Sequence, residues 1–504
     1  MKQSGAALVV CIALLVRWLV SLHSYSGMNT PPMFGDFEAQ RHWMELTYHL
    51  PIADWYFYDL KYWGLDYPPL TAYVSYGCGF LAQFVEPELV ALETSRGYET
   101  PSGKVFMRLT VILCDVVLFM PALLFLAKGI YQKQWALRME FLMFVLLQPA
   151  FVLIDHGHFQ YNNVSLGFAT LAVACILQDH EVLGSIFFCC ALNFKQMALY
   201  YAPAFTFFLL AKCLHRSNFI FHFVKLGVAV VLSFAALWLP LCLFHRAGGT
   251  CFDGIAQSKL LHRVFPLARG LFEDKVANFW CCLDLFVKLR QKVEPQQLVY
   301  LCTFATLLGF LPSVVDLLRR RPTRVRFFLA LFNSSMSFFL FSFQVHEKTI
   351  LLPLLPVAFL LSEASLLASW FGLVATFSMY FLLVKDGLLL PYVVALVAYT
   401  AFGIVPVLLT KSRLALRPSA PGLLSDGTPS LYHRVYVLVS LVGIVVLHVL
   451  QATVPPPVKY PHVHEYLFAL YACGHFLFAL VYATYWQWTA SVDDEDQATK
   501  SKRE

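Results

Sequence analysis

Apolar runs separated by short polar breaks fill most of the chain, with a length and spacing suited to membrane-crossing helices. A span needs roughly 20 mostly apolar residues to cross the hydrocarbon core. By this criterion about 14 segments read as transmembrane helices: 5–22, 105–127, 139–155, 164–178, 182–197, 199–213, 219–243, 298–317, 327–343, 349–363, 367–384, 388–410, 434–453 and 463–486. Two stretches break the rhythm, 23–104 and 244–297, and read as long loops; 487–504 reads as a charged tail. The expected architecture is a single all-α polytopic membrane domain over residues 1–504.

The start of the chain resembles a secretory signal, with Lys2 ahead of an apolar run from Ala6. A signal's apolar core is short and ends at a small-residue cleavage site. Here Arg17 and Trp18 interrupt the run and no such site follows, so this is read as an uncleaved first span. Inside the first long loop, Ala39, Trp43, Leu46 and Leu50 fall at helical spacing, with Glu38, Arg41, His42, Glu45 and His49 elsewhere on the helix. That pattern predicts an amphipathic helix lying in the membrane interface. A second apolar stretch, Leu70–Val85, follows the break at Pro68 and Pro69 and is placed along the membrane surface. Treating it as a span would reverse the side of every later loop.

Composition supports the membrane assignment. Residues are 59% hydrophobic and 13% charged, with mean hydropathy +0.64, against about 25% charged residues in soluble domains. The net charge of +6 is dispersed between apolar runs, which gives no nucleic-acid-binding patch. The 13 cysteines form no CxxC pair and no Cys/His metal spacing; Cys251, Cys281 and Cys282 share one polar loop, where a disulfide is possible on a luminal side.

Lys and Arg in short loops set the orientation. With a cytosolic N-terminus, the cytosolic side receives Lys128, Lys133 and Arg138; Lys212, Arg216 and Lys225; the run Arg319–Arg326; and Lys411, Arg413, Arg417 and Arg434. Both long loops and the short segments "DHGHFQYNN", "FQVHEK" and "KDG" fall opposite, and the C-terminus returns to the cytosol. The tail carries Lys500 and Lys502 at the spacing of a dilysine retrieval signal, which makes the far side the lumen of the endoplasmic reticulum.

Polar residues gather on that luminal side. Asp36 follows Gly35 at a helix start, where an Asp is commonly an N-cap. Asp66, in "GLDYPP", sits where an Asp is commonly a turn residue. Asp155, His156, His158 and Gln160 end one span; Lys195 and Gln196 end another; His346 and Lys348 end a third. The second long loop adds Arg263, Arg269, Glu273, Asp274 and Lys275, and the first adds Glu38, Arg41 and His42. Ionisable groups at span ends are expensive unless paired or functional. Together they point to one luminal cavity offering a carboxylate base, cations for a phosphate and aromatics for a sugar face. From the residues alone, a lipid-linked glycosyltransferase, a transporter or scramblase, and a non-catalytic subunit all remain open. No internal repeat is visible, which weakens the transporter reading.

The stretches "GDFEAQRHWMEL", "YWGLDYPPLTAY", "TSRGYE", "LIDHGHFQYNNVSLGF", "FPLARGLFEDKVANFWC" and "FSFQVHEKTILL" resemble, in order, the eukaryotic dolichyl-phosphate-glucose glucosyltransferases of the endoplasmic reticulum, which share the multi-span GT-C fold. The resemblance runs from residue 25 to beyond 350; after about residue 365 it is chiefly one of hydropathy. "EAQRHW" and "GLFEDKVANFW" look like the branch that adds the first glucose, whereas "DFE", "LDYPP" and "VHEK" are shared with the sister branch that adds the second. The resemblance implies a dolichyl-phosphate glucose donor, a dolichol-pyrophosphate-linked oligosaccharide acceptor, and inverting transfer. It implies Asp36 as general base and His346 and Lys348 as stabilisers of the leaving phosphate, with Arg263 and Arg269 as further candidates. Asp66 would hold the donor glucose or order the loop beneath Asp36. No metal-ligand cluster appears among the luminal motifs, so a metal-independent reaction without a cofactor is expected. Membrane lipids are the surroundings; nothing in the sequence names a protein partner.

Overall fold

The computed structural model describes residues 2–243, 263–264, 275–409 and 430–490, and these residues form helices and no strands. The main helices are α1 (Lys2–Ser21), α2 (Gly35–His49), α3 (Pro69–Val85) and α4 (Pro101–Tyr131). Next come α5 (Trp135–Leu146) and α6 (Pro149–Phe159), bent by 46° to each other, then α7 (Asn162–Leu177), α8 (Glu181–Phe194), α9 (Gln196–Leu214) and α10 (Phe219–Leu243). The chain continues through α11 (Phe279–Val287), α12 (Pro295–Arg319), α13 (Arg324–Phe341) and α14 (Leu351–Phe359). It ends with α15 (Ser365–Ser378), α16 (Leu389–Leu409), α17 (Leu431–Thr453) and α18 (Val463–Thr489).

Among the described residues, seven helices are long and apolar enough to cross a membrane, or eight with α5 and α6 counted as one bent span. Helix length and composition therefore do not confirm the expected count of 14. Four of the other expected spans, at α1, α7, α8 and α15, are shorter apolar helices. The last two are α13 and α14, and α14 has only 9 residues. Both are interior helices. Every residue of α14 is buried, and so is α13 from Val325 to Ser337. Protein interior and lipid tails are equally apolar, so a helix at the centre of the bundle and one facing lipid carry the same kinds of residue. The polar residues of α13 find partners inside the bundle: Asn333 bonds Gln487 of α18 at 2.9 Å, and Ser334 bonds the Tyr200 carbonyl at 2.7 Å. By contrast α10 and α17 leave rows of Val and Leu exposed, among them Val231, Leu232, Val439 and Val442.

α2 departs from the expected interfacial helix. Phe37 to Thr47 are all buried, polar and apolar alike. The segments 51–68 and 86–100 fold over it, so its polar face is covered by protein. α3 crosses it at Gly79, where a Cβ would stand 2.5 Å from the Met44 carbonyl oxygen. The outward face of α3 carries Tyr76, Phe80, Leu81, Phe84 and Val85, all exposed.

Of the cysteines singled out, Cys281 and Cys282 are not disulfide-bonded, and Cys251 lies outside the described residues. Cys242, in the last turn of α10, is disulfide-bonded. Lys500, Lys502 and the tail beyond Ala490 also lie outside the described residues.

Candidate active site

The backbone ahead of α2 crosses itself closely. Gly27 and Gly35 have φ of 81° and 66°, and a Cβ on Gly27 would stand 2.0 Å from the Phe34 backbone. Only glycine tolerates both the left-handed conformation and that approach. The crossing brings the Ser26 hydroxyl within 3.3 Å of the Asp36 backbone N–H, which donates to it. Phe34 is the N-cap residue and no side chain caps the helix. Asp36 is thus a first-turn residue with a side chain free for other partners, and the helix-cap reading does not hold.

Those partners converge on one oxygen. Asp36 Oδ2 meets His158 Nε2 at 2.8 Å, accepts from Gln160 Nε2 at 2.7 Å, and accepts from Lys348 Nζ. Oδ1 has no hydrogen-bond partner among the described residues. His158 and Gln160 reach the same atom because the chain turns sharply between them: Phe159 has a φ of 87°. A bulky residue there is strained. Arg108 pins the turn by donating to the Gly157 carbonyl at 2.8 Å and lying over the Phe159 ring. Burial pushes the Asp36 carboxyl up, but Lys348 and His158 outweigh it and hold the group well below the usual carboxylate range. Burial likewise opposes the Lys348 ammonium, and Asp36 more than offsets it, holding Lys348 above the ordinary lysine value.

Asp36 lines a cavity of about 560 Å³, well within the range of small-molecule sites. Seven more of the residues singled out in the sequence line it: Asp66, Gln160, Lys195, Gln196, Arg263, His346 and Lys348. Trp43, Tyr62, Trp63 and Tyr67 supply one aromatic wall, and Tyr200, Phe338 and Phe343 another. Lys195 bonds Asn162 Oδ1 at 2.6 Å and Gln160 Oε1 at 3.3 Å, with the Tyr67 ring 5.0 Å away. Arg263 donates to the Leu65 carbonyl at 3.1 Å, and Gln196 to the Val264 carbonyl at 3.1 Å. These bonds fix residues 263–264 against the wall beside Asp66. The cavity therefore combines a carboxylate, several cations and aromatic faces.

The other candidates are elsewhere. Glu38, Arg41 and His42 lie on the far side of α2. Arg41 forks onto Glu38 at 2.6 and 2.7 Å and reaches Glu45 at 2.8 Å; His42 joins Glu45 at 3.1 Å. Arg41 also donates to the Leu89 carbonyl at 2.9 Å and to Ser95, so this cluster ties α2 to the covering loop. Asp155 and His156 belong to a knot among the helices. Asp115 there accepts from Arg17 at 2.6 Å and Asn163 at 3.2 Å and meets His156 at 3.0 Å, while Asp155 accepts from Asn162 at 2.7 Å. His158 is not on the cavity wall but touches the carboxylate that is. Lys275 pairs with Glu465 at the start of α18, outside the cavity. Arg269, Glu273 and Asp274 lie outside the described residues. Among the described residues, no group of three or more His, Cys, Asp or Glu is arranged to hold a metal ion.

Sequence reasoning missed Asp386, whose Oδ2 lies 2.5 Å from His158 Nδ1. Its segment, "KDG", had been placed on the same side of the membrane, and that was the signal available.

The whole chain can be compared with known proteins. The dolichyl pyrophosphate Man9GlcNAc2 alpha-1,3-glucosyltransferase of Gallus gallus is 44% identical over 95% of this chain and 96% of its own length. The Mus musculus protein of the same name is 43% identical over 94% and 95%, and that of Saccharomyces cerevisiae 41% identical over 95% and 89%. The model of the ALG6, ALG8 glycosyltransferase family matches residues 13–482, and the chain belongs to that family.

Proposed function

We propose that this protein transfers glucose from dolichyl-phosphate glucose to the dolichol-pyrophosphate-linked nine-mannose oligosaccharide, in alpha-1,3 linkage and with inversion. This is the first glucosylation of the lipid-linked precursor. The observation that carries the mechanism is Asp36: one carboxylate oxygen held by three neighbours, the other without a hydrogen-bond partner among the described residues, on a residue that lines a cavity with cations and aromatics.

The acceptor's 3-hydroxyl gives its proton to Asp36 Oδ1 as its oxygen attacks the anomeric carbon of the donor glucose. The bond from that carbon to the phosphate oxygen breaks on the opposite face, and dolichyl phosphate departs with the electron pair. One displacement gives inversion and needs one base. The depressed Asp36 carboxyl is already ionised at neutral pH. A positioned base contributes ~10²–10⁴-fold.

The leaving phosphate needs charge stabilisation rather than a proton. Lys348, His346 and Arg263 line the same cavity and supply it. Asp66, beside Arg263, holds the glucose or orders the wall. The reaction uses side-chain cations for the phosphate and is expected to proceed in EDTA without a cofactor. The cavity opens to the lumen of the endoplasmic reticulum, with both termini cytosolic.

The test uses purified protein with a dolichyl-phosphate glucose analogue and a lipid-linked nine-mannose acceptor. Alpha-1,3-glucosylated product is expected, with no transfer from the mannose carrier. Preference for an acceptor that already bears one glucose would assign the chain to the sister reaction. No transfer to either acceptor would overturn the proposal.

A further inference from the structure

His158 stands between two carboxylates. Its Nε2 is 2.8 Å from Asp36 Oδ2 and its Nδ1 is 2.5 Å from Asp386 Oδ2. The imidazole and Asp386 are both buried, at 2% and 7% exposure. Both partners are anchored from behind. The Ser24 hydroxyl donates to the Asp386 carbonyl, the Ser26 N–H to the His158 carbonyl at 3.0 Å, and Arg108 to the Ser24 carbonyl at 2.9 Å. The turn that follows the short helix Tyr380–Lys385, ahead of α16, is thus fastened to the segment that places the base.

We propose that Asp386 and His158 are positioning residues for Asp36, a proposal that rests on Asp36 being the general base. Asp386 fixes the imidazole from one side, and the imidazole fixes Asp36 Oδ2 from the other. Neither residue lines the cavity, so both act through Asp36.

The chemistry follows from the two ring nitrogens. A neutral imidazole has one N–H and one lone pair. Facing a carboxylate on each side, it would set a lone pair against one of them. Two carboxylates favour the doubly protonated ring, which donates to both. The Lys348 ammonium, 3.1 Å from Nε2, opposes that second proton, and the two carboxylates outweigh it, Lys348 itself binding the same Asp36 oxygen. Two carboxylates then balance two cations. A carboxylate bound only by Gln160 and a flexible lysine, both on the same oxygen, could swing about its own axis. Tied through a ring to a second, buried carboxylate, it keeps Oδ1 toward the acceptor. That orientation is secured before substrate arrives, which is where preorganisation assists catalysis.

The experiment is a double-mutant cycle on the full-length protein in the transfer assay above, with radiolabelled donor analogue so that residual rates are measurable. Asp386→Asn should lower kcat by about tenfold or more with both KM values within about twofold, because base geometry is disturbed while binding is not. Asp386→Glu should restore part of the rate. In an Asp36→Asn background, Asp386→Asn should change the residual rate by less than about twofold, since residues acting as one unit are not additive. His158→Gln follows the same cycle and serves if Asp386→Asn fails to elute as a monodisperse species. The proposal is overturned by an unchanged kcat, by a loss carried in KM, or by an equal loss in the Asp36→Asn background. Activity retained by Asp36→Asn alone would instead remove Asp36 as the base, a separable failure.

Discussion

On the back of α2, Glu38 and Glu45 share Arg41, and the remaining contacts go to His42, Ser95, Tyr62 and the backbone of Glu93. At its N-terminal end, Asp36 has three partners on one oxygen and none on the other among the described residues. Both clusters pair carboxylates with cations and histidine on one 15-residue helix. What separates them is open volume. The back cluster is closed by the covering loop, so its ion pairs are a fastening. The front cluster belongs to a carboxylate that lines a cavity and keeps one oxygen without a hydrogen-bond partner among the described residues, so it can take a proton. A buried carboxylate next to a cation is therefore no sign of catalysis by itself; a carboxylate with an unsatisfied oxygen on a residue that lines space for a substrate is the informative feature.

Breaking each side of that comparison should give opposite signatures. The largest effect on stability is expected from Arg41→Met, which leaves two buried carboxylates without their cation. Removing one partner of a buried pair costs about 3–5 kcal/mol. A large fall in melting temperature is expected, with the KM values of the surviving folded protein unchanged.

Lys348→Met should act on the front, raising the donor KM by about tenfold, as the loss of a charge-assisted contact of roughly 1.5 kcal/mol implies. It should also expose the charge balance at Asp36. Burial raises that carboxyl and Lys348 lowers it, the wild-type value lying well below the ordinary 3.8. Without Lys348 the burial effect gains ground, so the acid limb of kcat/KM should move to higher pH. An unmoved limb would remove Lys348 as the cause of the depression.

A smaller effect concerns acid stability. Burial raises the Glu45 carboxyl, while His42 and Arg41 more than offset it and bring it down to about 2. The depressed value means Glu45 contributes stability fully present above its ordinary 4.5 and lost as pH falls toward 2. Melting temperature should decline over that window, and Glu45→Gln should flatten the slope. The smallest effect is expected from Tyr62→Phe, which removes one 2.9 Å hydrogen bond to Glu38 and should cost about 1 kcal/mol.

The cavity was largely legible in the sequence because its residues sit at span ends, where a polar residue is conspicuous against apolar runs. His346 and Lys348 at the end of α13, and Lys195 and Gln196 at the end of α8, are such cases. The two faces of α2 were not separable. Periodicity marks Glu38, Arg41 and Glu45 as polar, but only the covering loop decides that they are buried. Asp386 was hidden for a different reason. "KDG" resembles an ordinary turn, Gly387 has a φ of 73°, and the partner histidine is 228 residues away. The number of spans was not fixed by hydropathy, because α13 and α14 satisfy an apolar interior with the same residues that would satisfy lipid.

The central claim is that the open oxygen of Asp36 receives the acceptor proton. Its most direct test is kcat for glucose transfer by Asp36→Asn in protein that elutes like wild type. A fall of ~10²–10⁴-fold, with donor and acceptor KM little changed, is the result predicted. A kcat within about twofold of wild type would contradict it.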